Sequence, residues 1–127
     1  MDGFGDSKSR NKHFKKHVLG TPPNAFGAGD MKGQFPSAPA YEHAGTSMFS
    51  QPTALGGMVH IPPHPAPTDP RQAMAMRWNP ANNQFATGDP ATRRLATFHT
   101  RTPDQFLQAV SQQRPDVLPR TIAFEKS

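Results

Sequence analysis

Proline and glycine interrupt this chain along its whole length, and they limit the regular structure that it can form. Fifteen of the 127 residues are proline and ten are glycine, and proline ends helices and cannot donate a hydrogen bond to a sheet. Large aromatic residues stand singly between these breaks in the first half of the chain, outside any periodic apolar run: Phe4, Phe14, Phe26, Phe35, Tyr41 and Phe49. We interpret such isolated rings as anchors for the pockets of a partner.

The low apolar content of the chain also argues against an independent globular core. Hydrophobic residues make up 34% of the chain, whereas apolar residues including glycine typically make up about 45–50% of a soluble domain. Ordering a residue costs about 1–2 kcal/mol of backbone entropy, and burial returns only about 25 cal/mol per Å². The composition therefore predicts a mostly irregular, extended chain with little regular secondary structure and no independent globular core, disordered when free.

Charge and residue usage restrict the partners. The net charge of +5 favours nucleic acid or an acidic protein surface. The chain contains no cysteine, which excludes disulfides, thiolate catalysis and cysteine zinc sites. No apolar run approaches the roughly 18–20 residues of a membrane span, and the N-terminal residues lack the apolar stretch of a secretory signal. We therefore expect no membrane partner.

Residues 1–20 are predicted to form a basic N-terminal arm. We expect its cations to bind nucleic acid or an acidic surface through counterion release: Lys8, Arg10, Lys12, Lys15 and Lys16. A short helix over about 9–19 is compatible with the sequence, although a helix of that length is marginal in water. The alternative is a solvated tail that only aids solubility. No known nucleic-acid-binding motif accompanies the arm, so we do not expect sequence-specific readout.

Residues 21–68 are predicted to be an extended, Pro/Gly-rich segment that runs over a partner's surface. Pro62–Pro67 indicates polyproline II, and Gly56–Ile61 shows a short strand-like alternation.

Residues 69–127 are predicted to be a small helical docking region. Three dipeptides place a capping residue before a proline, which is typical of a helix start: Asp69-Pro70, Asp89-Pro90 and Thr102-Pro103. They predict helices over about 70–78, 90–98 and 103–113. Gln105 completes a capping box in the third helix. Short extended pieces are expected at 117–119 and 121–124.

Candidate catalytic and metal-binding groups are sparse. The spacing of His60 and His64 would suit a metal on a helix, but Pro62 and Pro63 exclude a helix there, and His43 lies far upstream. The glycines at 27–29 lack the preceding strand of a dinucleotide-binding loop. Catalysis requires preorganised groups on a rigid frame. We therefore expect no catalytic residue, metal, cofactor or small-molecule substrate.

A second basic set consists of Arg93, Arg94 and Arg101, which alternate with Phe98 and His99. This pattern is compatible with single-stranded nucleic acid. We favour the simpler interpretation, the polar side of a short helix with one apolar residue facing inward.

These observations predict a non-enzymatic structural component of a large assembly. The most favoured assembly is a virion, in which a minor capsid-lining protein contacts the genome or an acidic surface through its basic arm. The alternatives are a filament-lining protein such as a microtubule inner protein, located in the cytoplasm or cytoskeleton, and a ribosome-type nucleic-acid accessory protein. The side chains expected to anchor the chain to capsid or filament subunits are Phe14, Phe26, Phe35, Tyr41, Phe49, Trp78, Phe98 and Phe106.

Overall fold

The computed structural model describes residues 1–24, 27–50 and 58–117, and in them the chain is a sheet with helices on both faces. The elements are α1 Ser7–His17, α2 Ala38–Ser47, β1 Val59–Ile61, β2 Ala75–Asn79, β3 Gln84–Asp89, β4 Arg94–Thr100 and α3 Pro103–Gln113. The four strands form an antiparallel sheet in the order β1-β2-β3-β4. The prediction of a mostly irregular chain without a globular core is therefore wrong.

Two hydrophobic clusters lie against the sheet. The first packs α1 and α2 against β3 and β4, around Tyr41 and Phe98. The second packs α3 against β1, β2 and β3, around Trp78 and Phe106. Each of these four rings exposes 1% of its surface or less. The sparse apolar residues thus suffice because, among the described residues, most of the large ones join one of these two clusters.

Tyr41 shows how the isolated aromatic residues combine. Four rings surround it, with centroids 5.1–6.0 Å away: Phe4, Phe14, Phe35 and Phe98. Its hydroxyl donates a hydrogen bond to the carbonyl of Phe98 on β4. Burial raises the pKa of Tyr41 above its ordinary value, so the hydroxyl remains protonated and keeps this donor role.

The two hairpins β2–β3 and β3–β4 use the same turn chemistry. The side chain of Asn79 accepts a hydrogen bond from the N–H of Ala81 at 2.9 Å, and that of Asp89 accepts one from the N–H of Ala91 at 2.9 Å. A proline follows both Asn79 and Asp89. Each loop also contains one residue with positive φ, which is Asn83 at 63° in the first and Arg93 at 59° in the second. The helix predicted over 90–98 is wrong, because Asp89-Pro90 initiates a hairpin turn here.

The strand that replaces this helix contains a bulge. Thr87 is opposite Thr97 and Gly88 is opposite Leu95, so β4 has one extra residue at this point. The bulge turns Leu95 and Phe98 towards the same cluster, although they are three residues apart. Their spacing therefore resembled a helical face.

Of the other two predicted helices, one is absent from the structure and one is present. Residues 70–73 form a single 3-10 turn after Asp69, and the chain then enters β2, so the helix predicted over 70–78 is wrong. Met76 and Trp78 share one cluster, as period-two side chains do. The helix over 103–113 is present, with the capping box between Thr102 and Gln105.

The N-terminal half is part of the same body. The N–H of Leu95 donates to the carbonyl of Gly3 at 2.6 Å, and the N–H of Asp2 donates to the carbonyl of Arg93 at 2.7 Å. These two hydrogen bonds join the N-terminal residues to the start of β4. The helix α2 lies within residues 21–68, the segment that was expected to be extended. The strand-like alternation at 56–61 contains β1. Of the extended pieces expected at 117–119 and 121–124, all residues but Val117 lie outside the described residues.

Candidate functional site

The basic segment is a capped helix. Its N-cap is Asp6, whose carboxylate accepts a hydrogen bond from the N–H of Ser9 at 2.7 Å. The helix α1 contains no acidic residue. Three exposed lysines at positions i, i+4 and i+7 share one side of it: Lys8, Lys12 and Lys15. Arg10 and Lys16, the other predicted binding residues, also lie on α1 and are partly buried.

The inner side of α1 is fixed to the body. Phe14 meets the ring of Tyr41 edge-on at 6.0 Å, and Val18 is buried in the same cluster. After the helix, the N–H of Met31 donates to the carbonyl of His17 at 2.9 Å. The three lysines are therefore presented from a rigid element and not from a tail.

A groove of about 670 Å³ lies beside α1. Lys8, Lys12 and Lys15 line it together with Phe14 and Leu19, and no acidic side chain lines it. Leu19 exposes 56% of its surface and is the single large hydrophobic residue that stands exposed within the described ranges. The groove thus combines apolar surface with positive charge.

A second arrangement lies at the C-terminal end of α1, where two buried histidines contact one aspartate. Nδ1 of His17 lies 3.1 Å from Oδ1 of Asp30 and 3.2 Å from the carbonyl oxygen of Gly27. Both neighbours are acceptors, so Nδ1 carries the proton. The ring of His99 stacks on His17 with centroids 4.9 Å apart, and its Nδ1 lies 3.9 Å from Oδ2 of Asp30.

Burial and hydrogen bonding set the charges of this cluster. Burial lowers the pKa of His99 to about 4 and, with the neighbouring His17, that of His13 to about 4. Burial of Asp30 opposes its ionisation, but the hydrogen bonds from His17 and the backbone of Thr100 outweigh this and hold the pKa of Asp30 below its ordinary value. At neutral pH the cluster therefore contains the carboxylate of Asp30 and the neutral imidazole of His99.

Further aromatic rings adjoin the cluster of His17, Asp30 and His99. His13 lies 5.9 Å from His17, and His99 lies 5.4 Å from Phe85, in both cases between ring centroids. The guanidinium of Arg101 lies over the ring of Phe85 at 4.9 Å, and burial lowers the pKa of Arg101. Positive charge is thus held near the neutral imidazole of His99.

The predicted anchor residues occupy two environments. Tyr41, Trp78, Phe98 and Phe106 are enclosed in the chain's own clusters, so in this fold they contact the chain itself. The remaining described ones pack half-buried against the first cluster: Phe14, Phe35 and Phe49. Their role towards a partner stays a prediction. Phe26 lies outside the described residues.

The second basic set is dispersed. Arg93 forms an ion pair with Asp2 at 3.0 Å, and Arg94 is exposed, while Arg101 covers Phe85.

The histidines of the middle segment are dispersed as well. His60 accepts a hydrogen bond from Arg77 at 2.7 Å, whereas His64 lies 3.9 Å from Asp116.

Sequence reasoning missed the cluster of His17, Asp30 and His99. No sequence motif links them, because Asp30 lies in a glycine-containing loop and His99 in a strand that was predicted to be a helix. The one available signal is the pair His13 and His17, which are four residues apart on α1.

Comparison with protein-family models, with curated proteins and with solved structures gives no match to this chain. Within residues 1–24, 27–50 and 58–117, no helix has the length and apolar character needed to cross a membrane. The same residues contain no group of three or more potential ligands arranged to hold a metal ion.

Proposed function

We propose that this protein is a nucleic-acid-binding structural module of a larger assembly and that α1 contacts the phosphate backbone. The observation that carries the proposal is the row of three exposed lysines, Lys8, Lys12 and Lys15, on a helix without acidic residues. They extend over about 10 Å of helix axis. Lysines that neutralise phosphates release condensed counterions, which supplies affinity without sequence specificity.

Rigid attachment supports this role. A flexible basic tail would lose side-chain and backbone entropy on binding, whereas α1 is already ordered against Tyr41 and the loop that contains Asp30. Preorganisation of this kind lowers the cost of association. The protein would thus enter its assembly as a folded unit. Whether that assembly is a virion, a filament or a ribosome-type particle stays a prediction from the sequence.

Salt dependence of binding tests the proposal. For a labelled single-stranded oligonucleotide, neutralising three phosphates gives a slope of roughly −2 in a plot of log affinity against log salt concentration. The variant Lys8→Gln/Lys12→Gln/Lys15→Gln should lose most of this slope. The control variant Lys32→Gln/Arg71→Gln/Arg94→Gln removes the same charge from exposed positions elsewhere and should retain it. If both variants lose the same amount of this slope, net charge alone explains the salt dependence and the α1 site is rejected.

A second candidate function is the cleavage of an RNA phosphodiester, and the cluster of His17, Asp30 and His99 favours it. In such a reaction the 2′-hydroxyl gives its proton to a base and its oxygen bonds to phosphorus. The bond from phosphorus to the 5′-oxygen breaks, and that oxygen takes up the proton that the base has just accepted. The neutral imidazole of His99, beside the ionised carboxylate of Asp30, is able to accept a proton at neutral pH. Because both histidines are buried, substrate access requires the loop of residues 27–34 to move.

The two functions are separated by incubating the protein with an RNA strand and with the DNA strand of the same sequence, which has no 2′-hydroxyl. Cleavage of RNA alone that is lost in His17→Asn and His99→Asn, and kept in the exposed control His43→Asn, would establish the second function. Binding of both strands without cleavage would reject it and leave the binding module.

A further inference from the structure

The groove beside α1 differs from a purely electrostatic surface because it contains apolar side chains. A lysine row alone would bind duplex and single strand through phosphates, and no apolar surface would be needed for that. Here Leu19 exposes 56% of its surface next to the half-buried ring of Phe14, and both line the same groove as the three lysines.

We propose that this groove binds a single-stranded nucleic acid, with Lys8, Lys12 and Lys15 on its phosphates and Phe14 and Leu19 against its bases. This inference rests on the proposed function and adds the form of the nucleic acid to it. Single strands combine an anionic backbone with exposed base faces, and proteins bind them with a positive groove and aromatic platforms. The bases of a duplex are stacked on each other and cannot reach such a platform.

The charge of the groove supports this occupant. No acidic side chain lines it, so a phosphate backbone meets no repulsion there. The one remaining polar side chain is that of Asn11, whose Oδ1 accepts a hydrogen bond from Nε of Arg10 at 3.2 Å and whose amide NH₂ can donate to base edges. The volume of about 670 Å³ lies within the range of roughly 300–1,000 Å³ that is usual for ligand pockets.

The ring of Phe14 is positioned for such a contact. Its edge-on packing against Tyr41, with centroids 6.0 Å apart, fixes one side of the ring within the first cluster. The side chain is only partly buried, and the rest of it lines the groove. A base that stacks there would meet a ring whose orientation is already set.

The test compares three probes at one salt concentration: a labelled single strand, the same strand with abasic sites, and a duplex of the same length. We expect the single strand to bind at least about fivefold more tightly than the abasic strand, since one stacked base contributes on the order of 1–3 kcal/mol. We expect the duplex to bind no better than the abasic strand. Phe14→Leu and Leu19→Gln should reduce the preference for intact bases while leaving the salt dependence unchanged.

The variants also separate the failure of this inference from failure of the proposed function. Equal binding of all three probes, with the salt slope of the lysine row intact, would overturn the single-strand groove and leave phosphate binding by α1. No binding of any probe would overturn both, and binding of an acidic amphipathic peptide instead would make the groove a protein interface. Leu19→Gln changes an exposed side chain, so it remains informative if Phe14→Leu fails to fold.

Discussion

The carboxylate of Asp30 accepts hydrogen bonds from both the backbone N–H and the hydroxyl of Thr100, at 3.0 and 3.1 Å. The two residues are 70 positions apart in the chain. The other carboxylate oxygen lies 3.1 Å from Nδ1 of His17, so one side chain connects α1, the loop after it and the last strand. The N-terminal half is thereby fastened to the sheet by specific polar contacts as well as by apolar packing.

Replacing Asp30 by alanine should therefore destabilise the whole fold. The substitution leaves the N–H and hydroxyl of Thr100 without their acceptor, and hydrogen bonds to a charged group contribute about 1.5–3 kcal/mol each. We expect Asp30→Ala to lower the free energy of unfolding by about 3 kcal/mol or more, measured by urea denaturation. The exposed control Asp104→Asn removes a carboxylate from the first turn of α3 and should change it by less than about 1 kcal/mol. Similar values for both variants would show that the contact of Asp30 with Thr100 does not stabilise the fold.

The aromatic spacing in the first half could not by itself distinguish anchors from a core. Phe4, Phe14 and Phe35 belong to different segments and to no periodic run, yet all three rings meet Tyr41. Such convergence depends on tertiary contacts, which no local pattern encodes. Low apolar content was therefore a poor guide, because it does not show how completely the few apolar residues are buried.

The errors in the second half have local causes. Asp89-Pro90 is compatible with both a helix start and an Asx turn of a hairpin, and the bulge in β4 gave Leu95 and Phe98 a helix-like spacing. The capping box at Thr102 and Gln105 was a reliable signal because both of its hydrogen bonds are local. Of the candidate site, the lysines of α1 were recognisable from the sequence. The buried cluster of His17, Asp30 and His99 was not, since it joins three separate segments.

Stability should fall as the pH is lowered from about 6.5 to about 4. The folded-state pKa of His99 is about 4 and that of the unfolded chain is about 6.5, so in this window the unfolded state binds more protons. The free energy of unfolding therefore decreases with falling pH, by on the order of 3 kcal/mol for His99. His13, whose folded-state pKa is also about 4, acts in the same direction. Asp30, whose pKa is lowered, loses its contribution only below this window.

Urea midpoints measured from pH 7 to pH 4 test this dependence. His99→Phe retains a ring between His17 and Phe85 but cannot titrate, so its midpoint should vary less with pH than that of the wild type. A pH profile identical to that of the wild type would mean that His99 is not the group responsible.

The helix α2 packs closely against the sheet at Gly45. A Cβ atom there would lie 2.7 Å from Cδ2 of Leu95 and 3.1 Å from ring carbons of Phe98, and both side chains are buried. Gly45→Val should therefore lower the free energy of unfolding by about 2 kcal/mol or more. His43→Val places the same side chain at an exposed position of the same helix and should have little effect. A neutral Gly45→Val would mean that α2 does not pack this closely on β4.

Amide hydrogen exchange of the purified chain, without any partner, tests most directly whether this protein folds alone around its two clusters. We expect slow exchange in β2, β3 and β4 and in the inner turns of α2 and α3. The opening free energies of β3 and of Tyr41 and its neighbours should be similar, because both faces of the sheet unfold together. Exchange at the rates of an unstructured chain throughout these elements would contradict this expectation.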